Sequence, residues 1–323
     1  MIWVTWRQHR TETLVLTGIV AAVGLILVVL GLPMHGLFPD GPLACANADL
    51  NDGDACAIAL GKLRAGYDYA ATLSLLLNVL PFAIGAFLGA PLLARELEAG
   101  TWQLVWTQAV PRMRWLAVKL GALAGLTVGL SLAFSAIITW YRVPLDVFEG
   151  RLGQVGFDVE GVVPGAYGLF AFALATAAGA LVRRSLGGLA VALVVFVVAR
   201  VAVAGFMRPK FTTPATTVEA ISGQNRGIQI GTDNPTDWVL AMEFRDRAGN
   251  PIDETAWFDL TDAASDTGQP LTAYLEGQGI QRAVFYHPGD RFWDFQLIEA
   301  SLFAGASVLL VALVVWRVKR RSL

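Results

Sequence analysis

The side chains that could do chemistry here are few and widely spaced. The histidines His9, His35 and His287 are far apart along the chain, so neither an HExxH pair nor a Cys/His cluster with metal-ligand spacing can be assembled from neighbours, and no metal site is expected. No G-x-S-x-G string offers an activated serine. A phosphate cradle needs GxxxxGK[ST], and the one Gly-Lys pair, Gly61-Lys62, is followed by leucine. The carboxylates Asp253, Glu254, Asp259 and Asp262 read as a solvated acidic surface rather than a hydrolytic pair. Cys45 and Cys56 enclose a Gly/Asn/Asp-rich segment that can turn back on itself. A disulfide between them is expected, with two unrelated thiols as the alternative, because spacing alone does not fix bridge geometry.

The elements that must carry these residues are set by composition. Of 323 residues 55% are hydrophobic and only 15% charged, which excludes an ordinary soluble domain. Apolar runs long enough to cross a bilayer as helix recur at about 13–32, 69–93, 115–141, 163–182, 186–207 and 295–316. The first is too long for the core of a signal peptide, and the cleavage-like "PLACANA" lies well beyond it, so the run is read as a retained span. With both ends in the cytoplasm, the inner segments hold Arg7, Arg10, Arg95, Arg112, Arg114, Lys119, Arg183, Arg184, Arg317, Lys319, Arg320 and Arg321 against Glu12, Glu96 and Glu98. Lys and Arg concentrate on the cytoplasmic side, so both ends are placed inside. The near-neutral total hides this split, and no nucleic-acid partner is expected.

One connector stands out. In "ARELEAGTWQLVWTQAVPRMRWLAVK" the second span should continue as helix past the membrane, with Arg95 and Glu98 on one face. Gly100 suits the position after a helix end and Thr101 the cap of a new helix. Trp102, Val105, Trp106 and Ala109 then form an apolar stripe, with Gln103, Thr107 and Gln108 off it. This predicts a short lateral helix across the cytoplasmic mouth of two spans, able to pass a push from a soluble partner to both. The plainer alternative is an interfacial amphipathic helix that only anchors the turn.

The same stretch resembles the first cytoplasmic loop of ABC-2 type ATP-binding-cassette transporter permeases, in which R-E-x-E-x-G-T precedes the coupling region. The opening "WVTWRQHR" and closing "YHPGDRFWDFQLIEA" are similar to the ends of such permeases from high-GC Gram-positive bacteria. The resemblance implies an all-α polytopic membrane protein of six helices in the bacterial plasma membrane, serving as the transport subunit of an exporter of hydrophobic or amphipathic compounds. It implies that Arg95, Glu96, Glu98, Gly100 and Thr101 lie at or near an ATPase contact, that residues 102–108, including Trp102, Gln103, Trp106 and Gln108, form the coupling helix, and that Trp6, Arg7 and Arg10 belong to an interfacial elbow helix before the first span. It further implies a partner ATPase that binds ATP and Mg, no cofactor in this chain, a second permease copy or related permease, and contact with membrane lipid and a small hydrophobic substrate.

Three regions are expected: 1–207, with five spans and the coupling segment 94–110; an extracytoplasmic insert at 208–294; and 295–323, the last span and basic tail. The insert should be a small α+β unit, with a strand, a Gly-Asn turn and a candidate return strand in "WVLAMEFRDRAGNPIDE", a short helix in "PLTAYLEGQGI" ended by Gly277 or Gly279, and a strand in "QRAVFYHP". Gly85 and Gly89, and Gly121, Gly125 and Gly129, have the spacing of helix-contact ridges, though glycine is simply common here. Arg200 and Glu299 fall inside spans at similar depth. They are expected either to approach one another or face one vestibule, or to snorkel separately. A membrane sensor or immunity protein whose insert binds a ligand is the rival functional reading. A secondary transporter is disfavoured by spans nearly free of charge.

Overall fold

The computed structural model describes residues 2–45, 54–98, 112–222, 231–232 and 234–320. Six segments are long and apolar enough to cross a membrane: Thr5–His35, Asp68–Arg95, Met113–Arg142, Val163–Val182, Ser185–Lys210 and Gly289–Arg320. The first helix, α1 (Ile2–His35), runs without a break. At ~1.5 Å per residue it is about 50 Å long, well beyond a ~30 Å hydrocarbon core. This corrects the expected elbow: Trp6, Arg7 and Arg10 are early turns of the same rod, not a separate helix before it.

The second span is two helices, α2 (Ala55–Leu77) and α3 (Leu80–Glu98), and not the single helix expected over 69–93. Pro81 lacks the N–H that a continuous ladder would use, and it falls in the first turn of α3, where that N–H has no intrahelical partner to lose. The chain therefore turns at Asn78 and Val79, freeing the Asn78 side chain. The Cys45–Cys56 disulfide, with Cα atoms 5.2 Å apart, ties a short turn at Pro42–Cys45 to the start of α2. The third span is α4 (Arg112–Arg142); two short helices, α5 (Asp146–Glu149) and α6 (Gln154–Val159), follow it and are largely buried.

The fourth span, α7 (Val163–Val182), is the centre of the bundle and packs on α3, α4, the fifth span α8 (Ser185–Ala202) and the last span α11 (Phe292–Arg320). Two glycines of α3 bring its backbone against that of α7. A methyl at Gly85 would run into the Gly168 carbonyl and lie 2.8 Å from Phe172 N, and one at Gly89 would press on the Phe172 backbone. Gly121, Gly125 and Gly129 meet nothing within 4 Å, so only the first of the two ridges is a packing surface among the described residues.

Between the last two spans lies an antiparallel sheet of β1 (Ala215–Ala220), β2 (Trp238–Arg245) and β3 (Gln281–His287) in the order β1-β3-β2. Helices α9 (Glu254–Thr267) and α10 (Leu271–Gln278) accompany the sheet, with Trp257 stacked on Phe244 at 4.1 Å. The candidate return strand after Gly249 shrinks to one bridge, Arg245 to Pro251. Asp253 then caps α9 by accepting from Ala256 N at 2.8 Å, so a helix starts at the end of the stretch in which the return strand was expected. Gly279, at φ 71°, ends α10. The insert is pinned to the bundle: His287 Nε2 lies 3.0 Å from the Pro209 carbonyl, and Arg291 Nη1 donates to Thr213 O at 2.8 Å.

Candidate functional site: a buried charge network and the opposite helix ends

At the end of the bundle nearest the insert, four charged side chains meet with almost no solvent. Asp158, on α6, accepts from Arg200 Nη2 at 2.6 Å on one oxygen and from Arg208 Nη2 at 2.6 Å on the other. Glu299, on α11, accepts from Arg208 Nε at 2.8 Å and Nη2 at 2.9 Å. The Tyr167 hydroxyl stands between the carboxylates, 3.2 Å from Asp158 and hydrogen-bonded to Glu299, and Arg200 lies 3.8 Å over its ring. Asn78, freed by the break before Pro81, accepts from Arg200 at 3.2 Å. The helix geometry explains how both arginines reach one site. Eight residues of α-helix overshoot two turns by about 80°, and the wider π turn at Val203–Met207 takes up that excess, bringing Arg208 to the side on which Arg200 lies.

Burial raises the Asp158 carboxyl, but Arg200 and then Arg208 outweigh it, so its pKa lies below the ordinary carboxylate value and it is charged. Two arginines thus balance two carboxylates, as a buried network requires. Arg200 and Glu299 share this network but do not pair directly: the partner of Arg200 is Asp158, and that of Glu299 is Arg208. Sequence reasoning missed Asp158, Tyr167 and Arg208. The signal that could have found Asp158 is the "FDVEG" run, whose two carboxylates alternate with apolar residues in the connection between the third and fourth spans.

A second cluster braces the same end. Glu160 accepts from Arg142 Nε at 3.0 Å and Arg151 Nε at 2.9 Å, and Arg151 sits 3.8 Å over the Phe292 ring. Asp146, 3.6 Å from Arg142, is pushed up to about 8 by burial and by the adjoining Glu160, against the pull of Arg142 and Arg151. Burial also raises Glu160, against the pull of its two arginines.

The opposite end carries the chain termini and the start of the connector. Arg95 Nη1 is 2.5 Å from Glu12 of α1. Glu98 accepts from Ser185 N at 2.7 Å and Ser185 Oγ at 3.0 Å, so it caps the start of α8. Lys119 donates to the Leu92 carbonyl at 3.1 Å. Arg95 and Glu98, expected to share a face, engage different helices instead of each other. The Glu96 side chain and residues Gly100, Thr101, Trp102, Gln103, Trp106 and Gln108 lie outside the described residues. Among the described residues no group of His, Cys, Asp and Glu could hold a metal.

Six helices long and apolar enough to cross a bilayer, packed into one bundle, make this a multi-pass membrane protein. The family model described as ABC-2 membrane transporter related matches residues 17–208, more than half of the chain, and the protein belongs to that family. Neither a curated protein nor a solved structure matches it.

Proposed function

We propose that this chain is the permease subunit of an ATP-driven exporter, carrying a hydrophobic or amphipathic compound out of the cytoplasm or inner leaflet. Its termini and the Glu98 end face the cytoplasm; the insert faces outward. A separate ATPase binds ATP and Mg, and the chain pairs with a second permease. Closure of the ATPase pushes the connector that follows Glu98.

The observation that supports this most is the Glu98–Ser185 cap. It joins the residue at the start of the connector to the first turn of α8. The far end of α8 leads into Arg200 and Arg208, which hold α6 and α11 together. A stroke on the connector therefore has a stiff route, about 23 residues or roughly 35 Å of helix, to an ion network that must part for the bundle to open outward. A two-helix rod of this kind transmits displacement; a Gly/Ser linker would dissipate it. In the ATPase–permease complex reconstituted in vesicles, Glu98→Ala should leave ATP hydrolysis within about twofold of wild type and reduce substrate efflux about tenfold, equivalent to ~1.4 kcal/mol of coupling. Unchanged efflux would remove the cap from the mechanism.

A further inference from the structure

The first span leans on α4 and stands off from α3. Its glycines explain this: a methyl at Gly24 would lie 2.9 Å from Ile137, and one at Gly31 would press on Trp140, so α1 approaches α4 closely along this face. What remains between α1 and α3 is a wedge of about 350 Å³ open to the side. Its walls are Val15 and Ile19 from one helix and Ala83 and Phe87 from the other, and at its terminal end Glu12 and Arg95 bridge the gap. Val15, Ile19 and Phe87 are each about half exposed, so the wedge offers apolar surface to whatever enters. The Arg95 side chain is 59% exposed and spends one Nη on Glu12, leaving its other donors to face outward. Arg7, Arg10 and Arg114 stand exposed at this same end, where Lys119 also reaches the Leu92 carbonyl. Cations outnumber carboxylates there, so the complementary head is an anion.

We propose that the wedge between α1 and α3 holds one anionic phospholipid of the leaflet on the terminal side, its acyl chain against Val15, Ile19, Ala83 and Phe87 and its phosphate on Arg95. A guanidinium with free donors at the head of an apolar slot matches a phosphate with a hydrocarbon tail in both charge and shape. The inference needs only that the chain crosses a bilayer, so it stands or falls separately from ATP-driven export.

The test uses the full chain released from nanodiscs of equal phosphatidylglycerol and phosphatidylcholine, with retained lipid counted by native mass spectrometry. Wild type should keep one phosphatidylglycerol in preference to phosphatidylcholine. Arg95→Gln should cut that preference roughly fivefold, the effect of the ~1 kcal/mol that one basic side chain contributes at an anionic surface. Glu12→Gln should raise it, because the guanidinium loses its competitor. Filling the wedge by Ala83→Phe or, independently, Ile19→Trp should abolish retention of either lipid. Equal losses in Arg95→Gln and Glu12→Gln would mean that the ion pair is merely structural and would overturn the proposal. Retention unchanged in both filled variants would place the lipid elsewhere. Loss of dimers with lipid retention intact would give the wedge to a second copy of the chain, and would overturn it as well.

Discussion

Arg208 joins more of the insert-end network than any other side chain described: it reaches both carboxylates, packs 4.1 Å over the Phe157 ring, and is fully buried. Deleting one partner of a buried pair leaves its opposite charge stranded, a loss of about 3–5 kcal/mol. Arg208→Met should therefore lower the thermal unfolding midpoint in detergent micelles by many degrees, while Arg208→Met with Glu299→Met should recover most of the loss. If the double variant unfolds as early as the single one, the pair is not the stabilising unit. Asp146 gives a prediction with a pH sign. Its ordinary value is 3.8 and its folded value about 8, so between these the unfolded chain has released a proton that the folded chain still holds. Its contribution to stability must fall as pH rises from about 4 to about 8, and Asp146→Asn should flatten that slope. A wild-type unfolding profile that rises across this window and is unaffected by Asp146→Asn would contradict the assignment.

Among the elements, α3 and α7 are held at glycine distance, whereas the glycines of α4 face open space. Gly89→Val should cost about 1–3 kcal/mol by overpacking, and Gly125→Ala should change stability by less than ~0.5 kcal/mol; unfolding midpoints of the two variants separate the cases. Similar shifts in both would show that the ridge on α3 is not special. The cap on α8 has its own signature. Glu98→Ala should speed amide hydrogen exchange in the first turn, Ser185 to Gly188, with a local loss of ~1 kcal/mol, and leave the middle of α8 unchanged. These elements also show what the sequence reveals and what it hides. Apolar length found all six spans because a bilayer demands it, and β3 and α10 announced themselves through the β-branched and aromatic run Val284-Phe285-Tyr286 and the stop at Gly279. The break before Pro81 was lost inside an apolar run whose average hydropathy conceals a single missing N–H. The start of α9 was legible in principle, since Asp253 is a good cap and Trp257, Leu260 and Ala264 share a helical face. The ion network was hardest to see. Its members come from α6, α7, α8, the turn that follows α8, and α11, and nothing local says that Asp158 meets Arg208, 50 residues later.

For the molecule as a whole, the two ends are different machines joined by the same helices. At one end Glu98 and Arg95 bind α3 to α8 and α1; at the other, buried arginines bind α8 to α6 and α11, and the insert is locked to the spans through His287 and Arg291. The insert therefore moves with α8 and α11 if they move. The sequence contains no GxxxxGK[ST] string, and the proposed account draws its work from another subunit. The most direct test is affinity purification of the full-length chain from its native membrane, with ATP hydrolysis and composition of the eluate measured together. The account predicts a Walker-motif ATPase in fixed proportion to the permease and hydrolysis that disappears when that partner is removed; an eluate that holds the intact chain with neither a Walker-motif protein nor ATP hydrolysis would contradict it.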